Sequence, residues 1–265
     1  MTDAGQSGET DTGLGAADRL LRGLLDATLL TADASVEAIE RLCQLARGTD
    51  GVGAAAAVCV HPVWVGRCRV LLHGSGVRVA TVVNFPYGGH HHPWVLQETD
   101  LALAAGADEI DLVYPWRAHR AGAWTLPWRS GGRPRGAVGA RQLVREVVRR
   151  CGPKRPVKLI LETGAWPAAL WQGAARAALD EGVRFLKTST GVDHRGATVD
   201  AVSRLLGVIE AAGCGGIKVS GGVRTLEDAR VYLNLIGARL GMAQVTPARV
   251  RIGSSVLHEI LRRAD

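Results

Sequence analysis

Lys187 and Lys218 each close a short apolar run and are followed by small, hydroxyl-bearing or glycine residues. The two stretches are Phe185-Leu186-Lys187-Thr188-Ser189-Thr190-Gly191 and Gly216-Ile217-Lys218-Val219-Ser220-Gly221-Gly222. Among 32 lysines and arginines, only Lys154, Lys158, Lys187 and Lys218 are lysine. Arginine keeps its proton in a protein, whereas a buried or crowded lysine can lose it. Lysines kept at strand ends are therefore candidates for amine chemistry. On neighbouring strands, two ammoniums about 6 Å apart repel by roughly 3 kcal/mol at an effective dielectric near 20. That is about 2 pKa units on one of them, and desolvation adds to it. The neutral amine can attack a carbonyl, and an acid such as Asp111 can hold or relay the protons that imine chemistry moves. This points to Schiff-base carbon–carbon chemistry, with the protonated imine as electron sink and no metal or other cofactor expected.

The elements that would position these lysines recur as a rhythm. Apolar, β-branched runs without period-two alternation lie near Asp26, Cys59, Val82, Asp111, Leu159, Lys187, Lys218 and Arg251. Such runs read as strands covered on both faces. Stretches with helical spacing separate them, which implies parallel connections. Eight units over roughly 240 residues predict a single closed (β/α)8 TIM barrel, an α/β fold. A doubly wound open sheet is the second reading, but no G-x-G-x-x-G follows an early strand. Residues 1–16 are polar and small and read as a disordered lead. The barrel domain then runs over 17–265, with a Trp-, Arg- and Gly-rich loop at about 124–137 inserted between a strand and its helix.

The formal net charge of +7 comes from scattered arginines and favours an anionic partner without naming one. No zinc pattern, helix-turn-helix or aromatic-basic motif accompanies it, so neither nucleic acid nor a metal is expected. His90-His91-His92 are consecutive on a loop, a poor arrangement for one ion. The five cysteines (Cys43, Cys59, Cys68, Cys151, Cys214) are widely spaced and form no disulfide framework. No secretory signal and no apolar run of membrane length is read, so a cytoplasmic location is expected.

In such barrels the site lies at the C-terminal ends of the strands. Those ends carry Asp26, Cys59, Asn84, Asp111, Lys158, Glu162, Lys187, Lys218 and Ser254. Buried charge is costly unless paired, so several of these must face one another. The loops after strands six to eight are Thr190-Gly191, Ser220-Gly221-Gly222-Val223-Arg224 and Gly253-Ser254-Ser255. Glycine-rich turns expose backbone N–H groups to anions, and this corner of the barrel frequently binds phosphate.

The chain resembles the deoxyribose-phosphate aldolases, which are class I aldolases. The resemblance rests on Leu25-Asp26-Ala27-Thr28-Leu29, Val58-Cys59-Val60-His61-Pro62, Ala80 to Pro86, Gly106 to Val113, Lys158 to Gly164, Lys187 to Gly191, Lys218 to Thr225 and Arg251 to Ser255. It implies reversible cleavage of 2-deoxy-D-ribose 5-phosphate to acetaldehyde and D-glyceraldehyde 3-phosphate. By the same resemblance Lys187 forms the imine, Lys218 lowers the pKa of Lys187, and Asp111 relays protons through water. Thr190, Gly191, Gly221, Gly222, Arg224, Ser254 and Ser255 match the side that binds substrate and its phosphate. Asp26, Thr28, Cys59 and Lys158 match supporting positions. The implied partners are small phosphorylated sugars and aldehydes, with no membrane; a homodimer is left open. Val192 stands where some members carry a lysine, and the terminal Arg262-Arg263-Ala264-Asp265 lacks a tyrosine-ended tail. Both departures bear on phosphate affinity and rate rather than on reaction type. Two other readings stay open: a Schiff-base aldolase for a different aldehyde pair, and a sugar-phosphate binding protein without turnover.

Overall fold

A computed structural model describes residues 15–48, 53–120, 136–192 and 194–263. Eight strands, β1 (Leu25–Leu29), β2 (Ala57–Val60), β3 (Arg78–Val83), β4 (Glu109–Val113), β5 (Val157–Ile160), β6 (Phe185–Lys187), β7 (Gly216–Ser220) and β8 (Val250–Ser254), pair in sequence order. β8 returns to β1 through Asp26 opposite Gly253, and every pairing is parallel. The closed (β/α)8 barrel excludes the open sheet. The helices are α1 (Ala16–Gly23), α2 (Val36–Arg47), α3 (Val65–Leu71), α4 (His92–Ala104), α5 (Trp116–Arg120), α6 (Gly136–Cys151), α7 (Ala168–Asp180), α8 (Val199–Ala212), α9 (Leu226–Leu240) and α10 (Leu257–Arg263). Among the described residues no helix is long and apolar enough to cross a membrane.

The sequence explains the helix starts. Ser35 and Thr198 accept backbone N–H bonds at the N-caps of α2 and α8, and Thr225 with Asp228 forms a reciprocal capping box on α9. α5 was not expected; it lays Trp116 against the His194 ring, 5.5 Å away, on the loop after β6. The Trp/Arg/Gly-rich insertion falls almost wholly outside the described residues, as does most of the polar lead.

Register decides what each strand contributes. Outward-facing residues such as Val58, Val79, Ile110, Leu112, Leu159, Leu186, Ile217, Val219 and Ile252 join the helices in one large core. The barrel interior is divided. β2 and β3 line it with Ala57, Cys59, Ala80 and Val82, a small apolar cluster of their own. The other strands bring in Asp26, Glu109, Asp111, Lys158, Lys187, Lys218 and Arg251, each no more than 4% exposed. Gly253 on β8 clears the way: a Cβ there would sit 3.1 Å from Lys218 Cε and 2.9 Å from the Ser220 Cβ. The apolar wall packs without polar demands, so charged groups gather on the opposite wall and must satisfy each other.

Candidate active site

Lys187 and Lys218 are register partners on β6 and β7. Both ammonium groups reach the same atom, Asp111 Oδ2, at 2.8 Å. Their nitrogens are therefore within about 6 Å of each other, where like charges repel strongly in a protein interior. Lys158 holds the other oxygen, Asp111 Oδ1, at 2.8 Å and also meets Glu109 at 2.6 Å. Asp26 Oδ2 lies 2.6 Å from Lys218, and Arg251 bridges Asp26 Oδ1 at 2.6 Å and Glu109 Oε1 at 2.8 Å. Asp111 thus stands where it can hold or relay protons for both Lys187 and Lys218, and the contacts are direct.

Seven side chains thus form one buried network. Four are cationic (Lys158, Lys187, Lys218, Arg251) and three are carboxylates (Asp26, Glu109, Asp111). Full ionisation would leave one uncompensated positive charge in a dry interior, which is strongly unfavourable. The cheapest relief is loss of one lysine proton. Burial pushes the Lys187 pKa down; Asp111 pulls it back up, but Lys218 opposes that and the net direction is downward. Burial also pushes on Lys218, yet Asp111 and Asp26 outweigh it and hold its pKa well above the usual lysine value. Lys158 is raised the same way: burial opposes, and Asp111, Asp26 and Glu109 prevail. Burial alone would raise Asp111, but the three lysines draw its pKa well below the usual carboxylate range. Lys187 is the lysine with one carboxylate partner instead of two or three, and it alone keeps a trace of exposure, its side chain 3% accessible against 0% for Lys158 and Lys218. The lysine that gives up its proton most readily is therefore the one nearest the mouth. Desolvation is the leading cause of its shift, ahead of the second lysine on which the sequence argument rested.

The neighbouring positions divide into two groups. Cys59 lies in the apolar wall with Sγ 3.8 Å from Asp111 Oδ2, and burial pushes its thiol pKa up. Thr28 Oγ1 donates to the Asp26 carbonyl at 2.8 Å. Toward the mouth, the loops after β6 and β7 are laced together: Thr188 Oγ1 donates to Ser220 O at 2.8 Å, and Ser220 Oγ to Ser189 O at 2.6 Å. Gly191, Gly221 and Gly222 all hold φ near +85°, a conformation side chains resist. Thr190 donates both its N–H (3.2 Å) and its hydroxyl (2.6 Å) to Glu162 Oε2. Glu162 is buried with φ +50°, and burial raises its pKa despite the Thr190 bonds. Arg224 is exposed at the loop rim. Ser254 is engaged elsewhere: its hydroxyl donates to Val223 O at 2.8 Å and accepts from Leu257 N at 3.2 Å, while Ser255 is exposed. Asn84 pins the β3 loop through Val113 O and His90 N. Among the described residues no cluster of histidine, cysteine and carboxylate side chains could hold a metal.

A curated deoxyribose-phosphate aldolase from Agrobacterium fabrum (strain C58) is 36% identical over 249 residues, covering 92% of this chain and 90% of that one. The chain belongs to the deoxyribose-phosphate aldolase family. It is an aldolase, hence a lyase. Among solved structures, the tetrameric deoxyribose phosphate aldolase of Aeropyrum pernix matches this aldolase with TM-score 0.72 at 25% identity, covering 94% of this chain and 92% of its own. The apo form of a Toxoplasma gondii ME49 protein assigned to the same family matches with TM-score 0.80 at 27% identity, covering 94% and 96%. No protein-family model matches the chain.

Glu109 and Arg251 were not singled out as site residues from the sequence, and the contact between Glu162 and Thr190, both of which were named, was not foreseen. A signal for the first two existed. Glu109 stands two residues before Asp111, on the same face of β4, and Arg251 is the register partner of Lys218. The aldolase also depends on Gly196, whose added Cβ would collide with the Gly221 carbonyl. Gly196→Ala is expected to cost about 1–3 kcal/mol of stability, as overpacking does, and to raise KM more than it lowers kcat. Denaturant unfolding and steady-state kinetics check both.

Proposed function

We propose that the aldolase cleaves 2-deoxy-D-ribose 5-phosphate reversibly to acetaldehyde and D-glyceraldehyde 3-phosphate through an imine on Lys187. The observation that carries this reading is the asymmetry of the lysines: the pKa values of two are raised by carboxylates, and that of the third, at the mouth, is lowered by burial and Lys218. The neutral Lys187 amine adds to C1 of the open-chain aldehyde, the resulting hydroxyl takes up a proton from solvent at the mouth, and its loss as water gives the protonated imine. A base on the Asp111 and Lys218 side accepts the C3 hydroxyl proton. The C2–C3 bond then breaks, its electron pair flows into the imine, and C3 leaves as the aldehyde of glyceraldehyde 3-phosphate. The enamine takes a proton at C2, and hydrolysis releases acetaldehyde and the free amine. Lys218 remains an ammonium throughout, favouring an uncharged Lys187 and keeping Asp111 ionised. Asp26 and Lys158 support this by holding Lys218 and Asp111 in place.

The phosphate is placed against the backbone N–H groups around Gly191, Gly221 and Gly222, with Arg224 at the rim. Ser254 shapes the start of α10 there, and Ser255 contributes from the exposed edge. Thr190, fixed by Glu162, faces the sugar hydroxyls. A coupled assay tests the substrate: kcat/KM should be much higher for 2-deoxyribose 5-phosphate than for 2-deoxyribose, and parity between them would contradict the phosphate assignment.

Lys218→Met gives the pH signature of this arrangement. Activity requires neutral Lys187, so the acid limb of kcat/KM marks the Lys187 pKa in the free enzyme. Removing the Lys218 charge takes away roughly 3 kcal/mol of repulsion and lets Asp111 pair more fully with Lys187. The Lys187 pKa then rises, and the acid limb should move up by about 2 pH units, with about a 100-fold loss of rate below it. A limb that stays in place would show that Lys218 does not set the Lys187 charge.

A further inference from the structure

At the barrel end opposite the mouth, the turns leading into β3, β4 and β5 enclose a cavity of about 470 Å³. Arg69, His73, Arg78, Asp108, Lys154 and Arg155 line it. Asp108, the acid among them, is already spent: its carboxylate takes Arg69 Nη1 at 2.9 and 3.1 Å and Val79 N at 2.9 Å. Arg78 turns Nε toward buried Glu109 at 3.6 Å, and its two Nη groups make no described hydrogen bond. Lys154 and Arg155 are exposed and make no ion pair among the described residues. Gly74 and Gly76 form the facing turn at φ +74° and +76°, and a Cβ on either would meet nothing within 4 Å, so the space above them is open.

Many surface arginines are neutralised by a carboxylate, as Arg69 is by Asp108, unlike Lys154 and Arg155. Arg41, Arg67, Arg141, Arg145, Arg150, Arg176, Arg204, Arg230 and Arg239 each face a carboxylate. At the floor, cations converge on a concavity with their one acid consumed. A cleft lined by one sign of charge focuses its field on an oppositely charged ligand. Guanidinium forks suit phosphate oxygens, and a lysine supplies a point charge beside them. The volume is that of a small-molecule pocket. The catalytic chemistry leaves it unexplained, because the mouth is at the other end of the strands.

We propose that this floor cavity is a second anion site, distinct from the active site, for a small ligand bearing two or more phosphate groups. Isothermal titration of the full chain with inorganic pyrophosphate at low salt tests it. Wild type should bind saturably. The Lys154→Ala/Arg155→Ala double variant should bind at least about tenfold more weakly. Arg224→Glu, at the rim of the mouth, should keep the wild-type affinity. Lys154→Gln alone, an exposed single change, should weaken binding by about threefold and serves if the double variant does not fold. Absence of saturable binding to wild type, undiminished affinity in the floor variants, or loss of binding in Arg224→Glu would overturn the proposal. These outcomes are read from binding and are independent of aldol turnover.

Discussion

Lys187→Met is expected to lower kcat/KM for aldol cleavage by about 10⁵-fold, because no other described group can become the nucleophile. Lys158 and Lys218 are fully buried and held protonated by their carboxylates. The same substitution should leave the fold nearly intact, within about 1 kcal/mol of wild type, since replacing a buried charge by a hydrophobe is often neutral or better when its partners stay satisfied. Here they do: Asp111 keeps Lys158 and Lys218, and three carboxylates then face three cations. Steady-state kinetics beside denaturant unfolding tests the pair of expectations. A large loss of stability would show that Lys187 is a structural cation.

Asp111→Asn should behave in the opposite way. Asp111 is the anion on which all three buried lysines converge. Even with Lys187 neutral, its loss leaves three cations, Lys158, Lys218 and Arg251, against two carboxylates, an uncompensated buried charge that costs about 3–5 kcal/mol. Turnover should fall by about 10²–10⁴-fold through loss of proton transfer. The acid limb distinguishes this variant from Lys218→Met. Asp111 pulls the Lys187 pKa upward, so its removal should move the limb to lower pH or leave it alone, whereas removal of Lys218 moves it higher. Matching shifts in the two variants would refute the electrostatic account.

These expectations show how far residue types lead. The eight strands were legible because each is an apolar run closed by a polar or glycine residue, and Lys187, Lys218 and Asp111 mark three of the ends. The asymmetry between the lysines was only half legible. Repulsion between neighbours follows from adjacency, but the extra carboxylates around Lys218 and Lys158 depend on Asp26 and Glu109 reaching in from β1 and β4. Glu109 was passed over because the reading took Asp111, two residues on along the same face, and Arg251 because it took Ser254 at the end of β8. The bonds of the Ser254 hydroxyl to Val223 O and from Leu257 N were not legible either, because they depend on how the loops after β7 and β8 pack. α5 escaped because Trp116-Arg117-Ala118-His119-Arg120 is too short to show a period.

The central claim is that Lys187 is the buried amine that is free to react. Borohydride trapping with acetaldehyde, followed by peptide mass mapping, addresses it most directly. The account predicts one ethyl group, on Lys187 alone, with Lys158 and Lys218 unmodified. An adduct on Lys218 in place of Lys187, or no adduct under conditions of full turnover, would contradict it.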